Sequence, residues 1–191
     1  MWVISGRRLA DVRGKIGLPG IRYLGLHGWE ADGGGLLDEV TRLVFQGLRE
    51  RVVASARELR GVWVEDKQHA LTVHYGDAPE TERKRAWASI NAILAPHADR
   101  FRIQNGYHVW EVLPREIGDK GVAVRRELAP FAGDALPVYV GDDRVDEPAF
   151  AVLREGITVR VGRAALSRAR YWLAGVAEVA AFLVRLRDEL A

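Results

Sequence analysis

No cysteine occurs among the 191 residues, which excludes disulfides, thiolate nucleophiles and cysteine-ligated zinc. No apolar run approaches the ~20 residues needed to cross a bilayer. The opening Met1-Trp2-Val3-Ile4 is too short for the hydrophobic region of a signal peptide and runs directly into Ser5-Gly6-Arg7. A soluble cytoplasmic protein with no membrane partner is the expectation. Charge of a single sign is lacking too: 28 basic residues stand against 26 acidic ones, for a net charge of +2. Arg49, Arg51, Arg57 and Arg60 are interspersed with Glu50 and Glu58, the pattern of a solvated helix face, so nucleic-acid binding is not expected. Zincin spacing, a G-x-S-x-G elbow and a P-loop are all missing. Asp32-Gly33-Gly34-Gly35 has no following Lys-Ser/Thr and reads as a hinge. Lysine is scarce, standing only at positions 15, 67, 84 and 120 among abundant arginine. A lysine is a compact point charge where arginine is a planar fork, so each lysine marks a position where the chemistry can matter.

Against these absences, 48% of the residues are hydrophobic, enough for one compact domain or a core carrying a modest insertion. Hydrophobic periodicity predicts strands at 2–4 and 21–26 flanking a helix at 7–15, then a long amphipathic helix at 36–59. Strands at 62–65 and 71–75, a helix at 81–94 and a hairpin of 101–104 with 107–113 follow, the hairpin turning on Asn105-Gly106. Beyond Pro114 the pattern becomes helix 120–128, strand 138–140, helix 145–154, strand 157–161 and helix 176–190. Strand–helix alternation at both ends implies a parallel sheet covered by helices, an α/β fold. The middle, about 33–113, reads as a separate α+β insertion.

Chemistry concentrates in three places. Directly after the strand at 138–140 come Gly141-Asp142-Asp143-Arg144-Val145-Asp146-Glu147. Ligands of open α/β sheets bind at such carboxyl ends of strands, and crowded hard oxygens suit magnesium, which makes Asp142, Asp143 and Asp146 candidate metal ligands. The same residues also suit a plain helix start, with Asp143 as N-cap and Asp146 and Glu147 favoured by the helix dipole. Asp119-Lys120-Gly121 opens another helix, where a lysine opposes the dipole unless it faces a phosphate or the carboxylates; the alternative is a solvated surface lysine. Finally, Ser5-Gly6-Arg7 follows the first strand. A serine hydroxyl and neighbouring amides there can hold a phosphate oxygen, or serve simply as a cap and turn. Arg7 and Arg8 add positive charge that an anion would compensate.

In this order, the three motifs resemble motifs two to four of the haloacid-dehalogenase superfamily. The run Ile4-Ser5-Gly6-Arg7-Arg8-Leu9-Ala10-Asp11, then His27-Gly28, Val64-Glu65-Asp66-Lys67, His74-Tyr75 and Glu111-Val112-Leu113-Pro114 is similar to the trehalose-6-phosphate phosphatase family. So are Gly141-Asp142-Asp143-x-x-Asp146-Glu147-x-x-Phe150 and the tail Ala169-Arg170-Tyr171-Trp172-Leu173. The resemblance implies a haloacid-dehalogenase-type parallel-sheet core from 1–32 and 114–191 with a sugar-reading cap at 33–113. It further implies hydrolysis of trehalose 6-phosphate with magnesium through an aspartyl-phosphate. Ser5 and Lys120 would hold the phosphate. Arg7, Glu65, Lys67 and Glu111 would contact substrate, and Asp142, Asp143 and Asp146 would serve the metal. Glu65 and Lys67, two apart on a strand, share a face; a surface ion pair between them is the plain alternative. His27 and His74 read as structural supports.

The chain departs from that family in one respect: D-x-D-G-T, the motif that supplies the nucleophile and the general acid–base, occurs nowhere in it. By resemblance, the absent first strand is central, so its neighbours would be left with open edges. Val145 stands where the family usually has threonine. The chain as given is therefore expected to be inactive, whether from a start placed too far downstream or from a real truncation. Alternatives are a non-catalytic sugar-phosphate-binding remnant, half of a split protein, or a phosphatase for another phosphorylated disaccharide or glycosyl-glycerate. Partners in view are a missing N-terminal segment and trehalose-phosphate synthase.

Overall fold

The computed structural model describes residues 1–31, 35–131, 133 and 135–190; Asp32, Gly33 and Gly34 of the expected hinge lie outside the described residues. The chain forms two compact units, 1–118 and 119–191.

The first unit begins with a β-α-β turn of chain. β1 (Trp2–Ile4) pairs in parallel with β2 (Arg22–Leu24), and α1 (Leu9–Ile16) connects them. No side chain of α1 caps its own start; instead Glu30 Oε2 accepts the amide of Leu9 at 2.5 Å, a cap delivered from 21 residues away. A helical and antiparallel stretch follows in the same unit. α2 (Glu39–Arg57) starts where Asp38 accepts the Thr41 amide at 3.0 Å, three residues after the predicted start. Its buried Thr41, Phe45, Leu48, Val52 and Ala56 recur every three or four residues, a single apolar stripe. β3 (Trp63–Asp66), β4 (Leu71–His74), β5 (Phe101–Gly106) and β6 (Val109–Pro114) make an antiparallel sheet in the order β3-β4-β6-β5. Period-two alternation gives that sheet two faces. Val73, Phe101, Trp110 and Val112 form one core with α2 and with Ile90 of α3 (Glu80–Leu94). The other face carries Glu65, Thr72, His74, Glu111 and Gln104, brought side by side by the register Glu65↔Thr72↔Glu111↔Gln104.

The hairpin differs from the expectation. Asn105 and Gly106 are paired with Trp110 and Val109 inside the ladder, and the turn is Tyr107-His108. His108 takes the left-handed φ of +55° that tight hairpin turns require, so the turn lies two residues beyond the Asn-Gly signal.

In the second unit, β7 (Val138–Gly141), β8 (Ile157–Val161) and β9 (Tyr171–Leu173) form a parallel sheet in that order. α4 (Lys120–Leu128), α5 (Glu147–Val152) and α6 (Val176–Leu190) complete it. The predicted helix 145–154 is a 3-10 turn, Arg144–Asp146, running into α5. β9 was not foreseen, because three residues are too few to show alternation. Among the described residues β1 is paired to β2 alone and β7 to β8 alone. No helix among the described residues is long and apolar enough to cross a membrane.

Candidate active site

Two clusters of charge are built, each inside one unit. In the first unit, Glu111 projects from β6 with 5% of its surface exposed. Its Oε2 lies 2.7 Å from His27 Nε2, and its Oε1 accepts from Lys67 Nζ at 2.8 Å and from Thr72 Oγ1 at 3.4 Å. Lys67 Nζ also donates to the carbonyl of Gly6 at 3.0 Å. Burial works against the charge of Glu111. The His27 bond and the neighbouring cations outweigh it and hold the carboxyl at about 2 instead of 4.5. The backbone is shaped to bring His27 here. Leu26, His27 and Gly28 all have positive φ, at 43°, 60° and 100°, a conformation that costs a non-glycine residue on the order of 1–3 kcal/mol. The His27 amide is held by the Ser5 carbonyl at 2.8 Å. Gly6 leaves the ring its space, since a Cβ there would sit 3.0 Å from His27 Cε1.

Lys67 thus lies beyond the end of β3, buried, and Glu65 is joined to His74 Nε2 at 3.1 Å. Each has its own partner, so the surface ion pair between them is replaced by two separate contacts. The His74 ring is stacked on Trp63, with centroids 3.6 Å apart and planes 3° apart. Trp63 and Glu65 therefore form an accessible rim, while Glu111 and Lys67 form its buried base. Ser5 Oγ accepts the amide of Arg7 at 3.1 Å, which leaves its O–H free to donate. Arg7 is exposed and directs its guanidinium to Asp11 at 3.0 Å, an i,i+4 pair on α1, so the charge at that helix start is compensated within the chain.

In the second unit Lys120 is 8% exposed and buried against Asp146, with Nζ to Oδ1 at 2.7 Å. Asp146 is fully engaged. Oδ1 also accepts from Tyr139 OH at 2.8 Å, and Oδ2 from the amides of Asp142 and Asp143 at 3.0 and 2.9 Å. Burial raises its pKa, but the Lys120 charge and these bonds win and the carboxyl is lowered. Burial, followed by the Asp146 charge, pushes the Tyr139 phenol up, so it remains a donor. Asp143 caps the 3-10 turn in a reciprocal box with Asp146. A Cβ at Gly141 would overlap Asp146 Cγ, so only glycine admits the inward carboxylate. The helix-start reading of Asp143 and Asp146 is thereby realised. Asp142 alone of the three is an exposed residue. Among the described residues no group of three or more His, Asp or Glu is placed to hold a metal ion.

Two residues of these clusters, Tyr139 and Thr72, and the α1 cap Glu30 carried no sequence signal. Tyr139 looks like any strand aromatic, and Glu30 and Thr72 meet their partners only through folding.

The trehalose-phosphatase family matches residues 1–169. The chain belongs to that family. It is 34% identical over 206 aligned positions to a trehalose-phosphate phosphatase of Mycobacterium ulcerans, covering 99% of this chain and 52% of that protein. It is also 35% identical over 173 positions to an uncharacterized glycosyl hydrolase of Mycobacterium tuberculosis, with 83% of this chain and 13% of that one covered. This chain therefore spans about half the length of the first relative and far less of the second. Its fold is that of the C-terminal domain of the Candida albicans trehalose-6-phosphate phosphatase, with a TM-score of 0.77 at 21% identity, covering 100% of this chain and 79% of that one.

Proposed function

We propose that this chain holds a phosphorylated disaccharide, trehalose 6-phosphate, in the manner of a trehalose-6-phosphate phosphatase, with 33–113 as its sugar-reading domain and 1–32 with 114–191 as its core. The family match over residues 1–169 carries this reading. The polar face of the insertion sheet supports it. Glu65 and the Trp63–His74 stack are accessible there, the combination of a hydroxyl acceptor and a flat apolar surface that suits a sugar ring. Glu111 and Lys67 fix that face from beneath and reach substrate through the groups they orient. Ser5 donates its O–H to a phosphate oxygen. Lys120 supplies positive charge at the start of α4, with Asp146 keeping it in place. Arg7, already paired with Asp11, has the smallest part.

For magnesium, Asp146 does not fit as a direct ligand because four donors occupy its oxygens. Asp142 fits, since magnesium commonly takes one or two carboxylates together with substrate phosphate and water; Asp143 is committed to its cap. Bound there, the ion would neutralise phosphate charge. With no D-x-D-G-T in the sequence, we further propose that these 191 residues bind substrate and do not turn it over. Working activity would come only from a gene product in which an in-frame segment supplies the motif. The protein is placed in the cytoplasm on this reading.

The deciding experiment compares the 191-residue chain with a version extended by any in-frame upstream D-x-D-G-T segment. Inorganic phosphate release from trehalose 6-phosphate and magnesium is the readout. The expected result is binding without release by the short chain and release by the extended one. Release by the short chain overturns the inactive reading. Glu65→Ala leaving the preference between trehalose 6-phosphate and sucrose 6-phosphate unchanged overturns the sugar-reading role.

A further inference from the structure

The loop 162–170 between β8 and β9 does something that the phosphate-holding residues do not use. It borders an open surface groove of about 390 Å³ lined by Arg160, Arg163, Ser167, Arg170, Tyr171 and Trp172, a volume within the range of small-molecule sites. The groove is strongly cationic. Three guanidiniums line it; Arg160 Nη1 lies 3.6 Å from a Glu147 carboxylate oxygen, and Arg170 Nη1 donates to the carbonyls of Arg154 and Gly156 at 3.4 and 3.2 Å. Glu147 is otherwise engaged in fastening the loop, accepting from Ser167 Oγ at 2.8 Å and the Arg168 amide at 2.7 Å. The Arg170 amide is anchored on Thr158 Oγ1 at 3.0 Å, so the loop is held in shape without a ligand.

Two observations point to what fills it. Arg160 lines the groove with a side chain only 13% exposed, its charge held in place by Glu147 at 3.6 Å. Trp172 and Tyr171 are 47% and 50% exposed, and the guanidiniums of Arg163 and Arg170 lie 5.7 Å from their respective ring centroids. Arginine forks match phosphate oxygens, and exposed aromatic rings beside them accept a flat ring by stacking. A phosphate monoester near −2 balances three guanidiniums less one carboxylate.

We infer that this groove binds an organic phosphate carrying a planar ring, of the size and chemistry of a nucleoside monophosphate. It is built from residues other than the Lys120–Asp146 cluster, so it constitutes a second ligand site in the same unit.

Titration calorimetry of the full chain with AMP, adenosine and inorganic phosphate tests this. AMP should bind saturably, with adenosine and phosphate each weaker by about tenfold, the scale of one charge-assisted hydrogen bond. Arg163→Gln, at an exposed position, should weaken AMP by a similar factor, and Trp172→Ala likewise. Arg163→Lys should recover only part, because it restores charge without the fork. Asp142→Asn should leave AMP affinity unchanged while altering the magnesium response of trehalose 6-phosphate binding. This separates failure of the groove from failure of the phosphatase reading. AMP binding no tighter than phosphate, or unaffected by Arg163→Gln in a variant with unchanged circular dichroism, overturns the inference. So does an AMP affinity lost in Asp142→Asn.

Discussion

Lys67 and Glu111 hold each other at 2.8 Å where their side chains are 8% and 7% exposed. Removing one member of such a pair leaves a buried charge without its counter-ion, at a cost of about 3–5 kcal/mol. Lys67→Met and Glu111→Gln are each expected to lower the unfolding free energy by that order in urea titrations. Replacing both with apolar residues should recover much of the loss. Single variants within 1 kcal/mol of the parent would show that the pair contributes no stability.

The same carboxylate sets a pH dependence. Its folded value of about 2 lies below the ordinary 4.5, so the unfolded chain takes up the proton first on acidification. The stability it contributes is complete above about pH 4.5 and drains away as pH falls towards 2. Asp146, also lowered, acts in the same direction. Urea titrations between pH 7 and 3 should show declining stability below about pH 4.5, with a flatter profile in Glu111→Gln. Equal slopes in the two proteins would count against Glu111 as a source.

Asp146 organises its loop through backbone amides. Asp146→Ala should therefore expose the amides of Asp142 and Asp143, whose acceptor is Asp146 Oδ2, to rapid hydrogen exchange, while amides of the four-stranded antiparallel sheet keep their protection. Unchanged exchange at those two positions would mean that the loop is held by other means.

Gly141 faces that carboxylate directly. Gly141→Ala drives a methyl into Asp146, and overpacking of this kind costs about 1–3 kcal/mol. Thermal unfolding should register the loss. Gly14→Ala, where a Cβ would meet nothing within 4 Å, serves as the comparison and should not show it.

The alternation of strands and helices was legible because burial imposes a period on sequence, and the parallel pairing at both ends follows from it. The helix over Lys120–Leu128 and the strand Ile157–Val161 fall on their predicted bounds. The hairpin turn was misplaced because Asn-Gly states a local preference, whereas register is decided by which residues face the core. Charged residues at the clusters were visible as a lysine in an arginine-rich chain and as carboxylates after a strand. Their partners were not. Thr72 and Glu30 are defined by neighbours 39 and 21 residues away, and no short window of sequence contains both ends of such a contact.

That distance bears on the order in which the chain assembles. Gly6 and His27, in the turns that follow β1 and β2, are fastened by residues 61 and 84 positions further on. Contacts of that span carry a large loop-closure entropy and accumulate slowly in refolding. During synthesis the Gly6 contact cannot form until Lys67 has emerged, nor the His27 contact until Glu111 has. The turn at Gly6 is thus made first and secured late.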